Sequence, residues 1–139
     1  MARKIPEGYN PVQPYLIFKN TREAMDFYAK VFDAQEKLCM TSPEGRVVHA
    51  EVKIGSSVLM MADEHPEIGA YAVAHYGGSP INLMIYVDDC DTTYQQALAA
   101  GAASEREPAD QPYGDRMAGI VDPFGYKWWI GHSLTKENQ

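Results

Sequence analysis

The second half of the chain repeats the residue pattern of the first half, at an offset of about 69 residues that takes Gln13 to Asn82. Each half opens with a short apolar stretch rich in strand formers, continues with polar residues suited to capping, and then has a run of helix formers. These segments are residues 12–18, 20–21 and 22–32 in the first half, and 81–87, 88–91 and 92–100 in the second. Such a repeat constrains the architecture before any single motif does, because both copies should fold in the same way.

Three further strand candidates follow each predicted helix, separated by turns rich in Pro, Gly, Asp and Ser. They are residues 36–41, 47–54 and 57–62 in the first half, and 103–107, 116–121 and 127–130 in the second. Each half is therefore predicted to be a β-α-β-β-β module. A lone module would leave one face of its sheet bare, so we expect an α+β fold in which two βαβββ modules form one open, barrel-like mixed sheet with the helices outside.

We interpret the chain, 1–139, as a single domain, with module one at about 10–62, a connector at 63–79, module two at about 80–133, and short tails. Its 139 residues, 45% of them apolar, can bury a core of normal size. The net charge of −7 offers no basic field for a phosphate backbone, so nucleic acid is not an expected partner.

Localisation and redox state follow from what the sequence lacks. No apolar run approaches the roughly 18 residues that span a bilayer, and the first residues do not have the pattern of a signal peptide. We therefore expect a cytoplasmic protein with no membrane partner. Cys39 and Cys90 lie far apart in the sequence and outside any CxxC motif, so both are predicted to be reduced and structural.

Period-two alternation sorts the faces of the predicted strands, because one face packs against the helices while the other lines the cavity of the sheet. The helix side is predicted to hold Val48, Ala50, Val52, Ile54, Ile81, Leu83, Ile85, Val87, Trp128 and Ile130. The cavity side is predicted to hold His49, Glu51, Lys53, Asn82, Met84, Tyr86, Lys127 and Trp129. The cavity side therefore combines a polar group with soft and aromatic side chains.

His49 and Glu51 share a face of one strand, with Cβ atoms about 6.5–7 Å apart, close enough for an ion pair. One interpretation is a hydrogen-bonded polar wall of His49, Glu51, Lys53 and Arg116, in which Arg116 forms an internal salt bridge with Glu51. A second is a general base, either Glu51 or His49 oriented by Glu51, that takes a proton from a bound substrate. A third is simple hydrogen bonding to a ligand, whose acidic group Arg116 could bind.

Five short strings along the chain resemble one known protein family. They are Pro14-Tyr15-Leu16-Ile17-Phe18, Ala24-Met25-Asp26-Phe27-Tyr28, His49-Ala50-Glu51, Tyr113-Gly114-Asp115-Arg116 and Asp122-Pro123-Phe124-Gly125-Tyr126-Lys127-Trp128. In combination they resemble the vicinal oxygen chelate superfamily, which groups glyoxalases, bleomycin-resistance proteins and dioxygenases, and most of all its PhnB-like branch. The resemblance covers residues 10–133 and implies paired βαβββ modules and a homodimer.

Members of this superfamily that hold a metal use one position on the first strand and one on the fourth strand of each module. The resemblance places these positions at Gln13, Met60, Asn82 and Trp129, of which Gln13 alone could act as a ligand. A thioether, a carboxamide and an indole are poor ligands for a divalent metal in a site of oxygen and nitrogen donors. We therefore expect no metal and no other cofactor.

The predicted cavity lining is soft and aromatic, with Tyr15, Met60, Met84, Tyr86 and Trp129 on the strands, and the loops could add Phe124 and Tyr113. Such a lining suits flat aromatic or cationic molecules, although Met60 and Trp129 could instead fill the space and leave no pocket. The first function hypothesis is metal-independent sequestration of a small organic ligand by Gln13, Tyr15, Met60, Asn82, Met84, Tyr86, Arg116 and Trp129. The second is an enzyme of the superfamily, similar to a glyoxalase, lyase or dioxygenase, that uses Glu51 or His49 as a base or holds a metal at an unrecognised site.

Overall fold

A computed structural model describes residues 4–135, and the chain forms two compact units that divide between His75 and Tyr76. Each unit contains one four-stranded mixed sheet and one helix of ten or more residues. In both units the helix packs on the sheet that belongs to the same unit.

The first unit has the predicted order β-α-β-β-β. Its elements are β1 (Tyr15–Phe18), α1 (Thr21–Phe32), β2 (Gln35–Thr41), β3 (Val47–Ile54) and β4 (Ser57–Asp63). The strands lie in the order β1-β4-β3-β2, with β1 parallel to β4 and the other pairs antiparallel. A turn of 3-10 helix (Pro66–Ile68) and the short helix α2 (Val73–Tyr76) follow within the predicted connector.

The second unit repeats this order. Its elements are β5 (Asn82–Tyr86), α3 (Cys90–Ala99), β6 (Ala103–Asp110), β7 (Asp115–Val121) and β8 (Lys127–Ser133). The strands lie in the order β5-β8-β7-β6, with β5 parallel to β8 and the other pairs antiparallel. The strand order and the directions of pairing are therefore the same in both sheets.

Helix α1 begins where Asn20 caps it, because the side-chain oxygen of Asn20 accepts a hydrogen bond from the backbone N–H of Glu23 at 3.1 Å. One face of the helix is apolar and buried; it carries Ala24, Met25, Phe27, Tyr28, Val31 and Phe32. The helix ends at Asp33, which adopts the left-handed conformation with φ 57°. The apolar face covers one side of the first sheet and leaves the opposite side for other contacts.

The repeat is also visible in the hydrogen bonds that tie each helix to its sheet. The backbone N–H of Thr21, at the start of α1, donates to Oδ1 of Asp63 at the end of β4, over 2.8 Å. The backbone N–H of Cys90, at the start of α3, donates to Nδ1 of His132 near the end of β8, also over 2.8 Å. Both pairs are separated by 42 residues. Two different side chains therefore satisfy the same unpaired helix N–H in the two units.

The turn between β7 and β8 is built around Asp122, which is 3% exposed. Its Oδ1 accepts hydrogen bonds from the backbone N–H groups of Phe124 at 3.0 Å and Tyr126 at 2.9 Å. Its Oδ2 accepts from the indole Nε1–H of Trp128 at 2.9 Å. One carboxylate thus holds the turn and the buried Trp128, and strand alternation then directs Trp129 to the face opposite α3.

The predicted α+β class with two βαβββ modules is confirmed; the strands form two four-stranded sheets, and neither is closed into a barrel. The predicted start of the first strand is wrong. Strand β1 begins at Tyr15 and not at residue 12, because Pro11 and Pro14 have no N–H for the ladder. Ile81, which was predicted to lie in the core, precedes β5 and is 62% exposed. The single-domain organisation stays a prediction.

Two findings bear on the other expectations. Within the part of the chain that the structure describes, no helix is both long enough and apolar enough to cross a membrane. Cys39 and Cys90 are free thiols. The Cys90 Sγ–H donates to the backbone carbonyl of Ile130 at 3.2 Å, and burial raises the pKa of this thiol to about 11.

Candidate functional site

On each sheet, the strand register brings together a row of side chains on the face opposite the helix. In the first sheet, Tyr15 of β1, Met60 of β4 and Glu51 of β3 are neighbours in the ladder. In the second sheet, Met84 of β5 and Trp129 of β8 are neighbours, at the positions that the repeat relates to Tyr15 and Met60. The same row is therefore partly polar in the first unit and apolar in the second.

The row of the first unit contains a chain of hydrogen bonds that passes through Glu51. The Tyr9 hydroxyl donates to Oε1 of Glu51 at 2.5 Å, and Nε2 of His49 lies 2.8 Å from Oε2 of Glu51. The Nδ1 of His49 lies 2.8 Å from the Tyr15 hydroxyl oxygen. The Glu51 side chain is only 6% exposed, whereas Tyr15 is 48% exposed. These hydrogen bonds therefore connect the buried carboxylate of Glu51 to the Tyr15 phenol, which is open to solvent.

The charge of Glu51 determines which atoms carry the protons in the hydrogen bonds between Glu51, His49 and Tyr15. Burial raises the pKa of Glu51, but the hydrogen bonds from Tyr9 and His49 and the charges of His49 and Lys37 outweigh burial, so the pKa is lowered. An ionised carboxylate can only accept, so Nε2 of His49 carries the proton that it donates to Glu51. In the neutral imidazole Nδ1 then accepts from the Tyr15 hydroxyl, whose pKa is raised by burial and by the negative charge of Glu51.

Tyr9 and Lys37 belong to this cluster, although neither was among the predicted site residues. The Nζ of Lys37 lies 3.7 Å from the centroid of the Tyr9 ring and 3.9 Å from Oε1 of Glu51. No spacing signal links Tyr9 to a glutamate 42 residues later. The sequence offers only a chemical indication: a buried carboxylate, such as that of Glu51, needs hydrogen-bond donors or cations near it. Lys53, which the predicted polar wall included, is exposed instead.

We expect Glu51→Gln to change the pH dependence of stability in a defined direction. Because the folded-state pKa of Glu51 lies below its ordinary value of 4.5, the unfolded chain takes up the proton first as the pH falls. The stability that ionised Glu51 contributes is therefore complete above about pH 4.5 and is lost as the pH falls through the lowered folded-state pKa.

Urea unfolding of the wild type and of Glu51→Gln, measured at a series of pH values, should show a stability difference that shrinks towards acid. The control is Glu44→Gln, which removes an exposed carboxylate and should follow the wild-type profile. A difference that stays constant or grows as the pH falls would contradict an ionised Glu51.

The row of the second unit forms the floor of a groove of about 740 Å³. The groove is lined by Met84, Arg106, Glu107, Ala109, Gln111, Tyr113, Met117 and Trp129. All of these residues belong to the second unit. A volume of this size, with a largely apolar floor and a few polar groups, suits a small organic molecule.

Two glycines shape the floor of the groove. A Cβ at Gly119 would lie 3.1 Å from Cζ3 of Trp129, so the indole rests against the backbone of β7. A Cβ at Gly131 would overlap Sδ of Met117 and lie 3.2 Å from Cε of Met84. A side chain at Gly119 would push the indole outwards, and one at Gly131 would displace the thioether of Met117. The floor is consequently made of one indole and two thioethers that lie close to the sheet.

Two cations lie close to the Trp129 indole. The Nζ of Lys127 is 4.4 Å from the ring centroid, and Cζ of Arg106 is 5.9 Å from it. Lys127 also pairs with Glu105 over 2.8 Å, from Nζ to Oε1. Arg106 has no carboxylate partner within 4 Å among residues 4–135. The indole therefore has two basic side chains beside it, of which Lys127 is balanced by Glu105 and Arg106 has no such partner among the described residues.

Arg116 forms an internal salt bridge, as predicted, but the predicted partner Glu51 is wrong. Its Nε and Nη2 donate to the two oxygens of Asp91 at 2.6 and 2.9 Å, and its Nη1 donates to Asp110 at 2.9 Å. Asp91, in the first turn of α3, and Asp110, at the end of β6, supply these carboxylates within the same unit as Arg116. Both carboxylates raise the pKa of Arg116. A ligand contact at Arg116 would have to compete with them.

The other predicted ligand residues on the strands fall in two places. Met84 and Trp129 line the groove of the second unit. Tyr86 lies next to them along β5, and its hydroxyl donates to a carboxylate on β7 at 2.8 Å. Tyr15 and Met60 lie in the row of the first unit, beside the hydrogen-bonded chain.

The four positions that the family resemblance assigns to a metal do not carry a donor set that fits one. The side-chain oxygen of Gln13 accepts a hydrogen bond from the backbone N–H of Asn10 at 2.6 Å. Met60, Asn82 and Trp129 offer neither a carboxylate nor an imidazole. Within residues 4–135, no group of three His, Cys, Asp or Glu side chains is placed to hold a metal ion. That this chain works without a metal stays a prediction.

Five lining residues of the groove were not predicted from the sequence: Arg106, Glu107, Ala109, Gln111 and Met117. Strand β6 is polar or small at almost every position, so alternation could not assign its faces. Two register shifts between β6 and β7 further disturb the alternation. Only the ladder itself shows that Arg106 pairs with Gly119, next to Trp129.

Paired βαβββ units with a groove of this size define a class of small α+β proteins that host varied ligands and reactions. A model of the Glyoxalase/Bleomycin resistance protein/Dioxygenase superfamily matches residues 10–130. The chain belongs to this superfamily, as its sequence motifs predicted.

Several known proteins are similar to this chain. An uncharacterised protein of Mycobacterium bovis is 33% identical over 130 residues, which cover 91% of this chain and 86% of the relative. The crystal structure of TioX from Micromonospora sp. ML1 has a TM-score of 0.68 at 22% identity, covering 93% of this chain and 100% of TioX. The PhnB protein from Bacillus cereus has a TM-score of 0.69 at 19% identity, covering 89% and 100% of the two chains. These structural similarities establish the fold.

Proposed function

We propose that this protein binds a small aromatic molecule in the groove of the second unit and does so without a metal. The observation that carries the proposal is the floor of the groove, where Gly119 lets the Trp129 indole approach the backbone of β7 and where Met84 and Met117 complete the lining. An indole face and thioethers are good contact surfaces for a flat ring. The donor set at the family's metal positions, described above, favours binding without metal chemistry.

The size and surroundings of the groove support the same proposal. A volume of about 740 Å³ lies within the range of sites for small organic ligands. Tyr113, 68% exposed, and Gln111 add an aromatic ring and a hydrogen-bonding amide to the lining. The superfamily name includes bleomycin-resistance proteins, which is compatible with a binding role. The homodimer and the cytoplasmic location stay predictions of the sequence.

We expect Trp129→Ala to weaken binding of an uncharged aromatic probe by about 1–3 kcal/mol, since this is the usual loss for a buried aromatic anchor. The probe is 2-naphthamide, titrated into the labelled protein and followed by amide and indole NMR shifts. Tyr76→Ala removes an exposed aromatic side chain that does not line the groove and should leave the affinity unchanged. No shifts at the groove residues of the wild type, or equal affinity in Trp129→Ala, would overturn the proposal.

A second candidate function is proton transfer on a bound substrate, and the hydrogen-bonded chain of Glu51, His49 and Tyr15 favours it. Buried Glu51 fixes the imidazole, and His49 can accept the proton of a group that hydrogen-bonds to Nδ1. The resulting imidazolium would be stabilised by the Glu51 carboxylate at 2.8 Å. Glu51→Gln tests this role, because the variant keeps the shape of the side chain and loses its charge.

A further inference from the structure

We infer that the groove of the second unit selects aromatic molecules that carry an acidic group, and this inference rests on the proposed function. The sequence alone suggested aromatic or cationic ligands, in line with the net charge of −7. The basic side chains beside Trp129 favour an acidic ligand instead.

The floor of the groove already has cationic partners. Lys127 and Arg106 both lie over the Trp129 ring, with their charged groups 4.4 and 5.9 Å from the centroid. A cationic ligand stacked on this indole would compete with both side chains for the same ring and would be repelled by them. An uncharged or negatively charged ring also competes for the indole, but the two cations do not repel it.

Arg106 offers the acidic group a partner. It lies on β6 in register with Gly119 of β7, and Gly119 is in register with Trp129 of β8, so the residue between Arg106 and Trp129 in the sheet has no side chain. The charge of Lys127 is balanced by Glu105 at 2.8 Å, whereas Arg106 has no carboxylate within 4 Å among the described residues. A planar guanidinium can bind a carboxylate or sulfonate through two parallel hydrogen bonds.

The remaining charged residue of the groove is Glu107, and it sets a limit to the selectivity. Glu107 lines the groove, and among the described residues it makes no ion pair with Arg106 within 4 Å. Its negative charge therefore opposes that of Arg106 without pairing with the guanidinium. The negative charge of the whole chain also acts mainly at long range, where salt of physiological strength screens it over about 8 Å.

Three probes with the same ring separate charge from ring binding: 2-naphthoate, 2-naphthamide and 2-naphthylmethylammonium. We expect 2-naphthoate to bind about tenfold more tightly than 2-naphthamide at low salt, because of the charge-assisted pair with Arg106. The ammonium probe should bind more weakly than the amide. Raising the salt concentration should reduce the preference for 2-naphthoate, since Arg106 is exposed.

Arg106→Gln should remove the preference for 2-naphthoate, so that 2-naphthoate and 2-naphthamide bind the variant with similar affinity. Arg106→Lys keeps the charge and should keep part of the preference, which separates recognition from any effect on folding. Arg22→Gln is the matched control, because Arg22 is an exposed arginine outside the groove, paired with Glu36. Glu107→Gln should not weaken 2-naphthoate binding.

The outcomes distinguish this inference from the proposed function. Equal affinity for the three probes, or tightest binding of the ammonium probe, would overturn the selectivity for acidic ligands while ring binding in the groove stands. A preference for 2-naphthoate that persists in Arg106→Gln would also overturn it. Binding of none of the probes at the groove residues would contradict the proposed function itself.

Discussion

Asp122→Ala should lower the free energy of unfolding by about 3 kcal/mol or more. The Asp122 carboxylate is the acceptor for three donors, the backbone N–H groups of Phe124 and Tyr126 and the indole N–H of Trp128. Each buried donor that loses its partner costs about 1–3 kcal/mol, and alanine cannot replace the carboxylate. Chemical denaturation followed by circular dichroism measures the change.

Two companion variants make this result interpretable. Asp122→Asn keeps one acceptor oxygen for the turn but turns an amide NH₂ towards the indole N–H of Trp128, so its stability should lie between those of wild type and Asp122→Ala. Asp88→Ala removes an exposed carboxylate and should change stability by about 0.5 kcal/mol at most. A loss below about 1 kcal/mol in Asp122→Ala would show that the turn does not depend on this carboxylate.

If the hydrogen-bonded chain of the first unit transfers protons, Glu51→Gln should reduce turnover by about 10²- to 10⁴-fold while substrate affinity is retained. Glutamine carries no charge, so the imidazolium that forms when His49 takes a proton has no counter-charge. If the amide turns its NH₂ group towards Nε2 of His49, the ring proton moves to Nδ1, and His49 cannot accept a proton on the side of Tyr15.

The measurement is exchange of carbon-bound hydrogen for deuterium, followed by NMR, on compounds that a screen in D₂O identifies as substrates. Tyr9→Phe is the matched control, because it removes one hydrogen bond to Glu51 but keeps the carboxylate and its contact with His49. It should retain most of the activity. A normal rate in Glu51→Gln would end the base hypothesis and leave the Glu51–His49 pair as a structural feature of the first sheet.

The internal repeat was the most productive sequence signal, and its physical basis is local. Alternating apolar residues predicted strands 47–54 and 127–130 on the correct faces, and Trp128 and Ile130 are buried as expected. Capping chemistry predicted the start of α1 at Asn20. These signals work because strand alternation and helix capping depend on residues within a few positions of one another. They fail at Ile81, where a strand end is exposed.

The contacts that give the candidate sites their chemistry depend on residues far apart in the chain. Tyr9 reaches Glu51 across 42 residues, and the Arg116 guanidinium pairs with Asp91 across 25. A local pattern cannot choose among several carboxylates that are all able to pair with one arginine. Packing makes that choice, because it brings only some of them within hydrogen-bonding distance.

The sequence by itself determined the paired βαβββ architecture, the superfamily, the sides of β3 and β8 that face the helices, and the poor donor set at the family's metal positions. Only the tertiary structure decided that Tyr9 and Lys37 accompany Glu51, that Arg116 is held by Asp91 and Asp110, and that Arg106 stands beside Trp129. The register of the strands sets which residues are neighbours, and the missing side chain at Gly119 leaves room for the Trp129 indole. Both depend on how neighbouring strands pair, so no single segment of the sequence contains them.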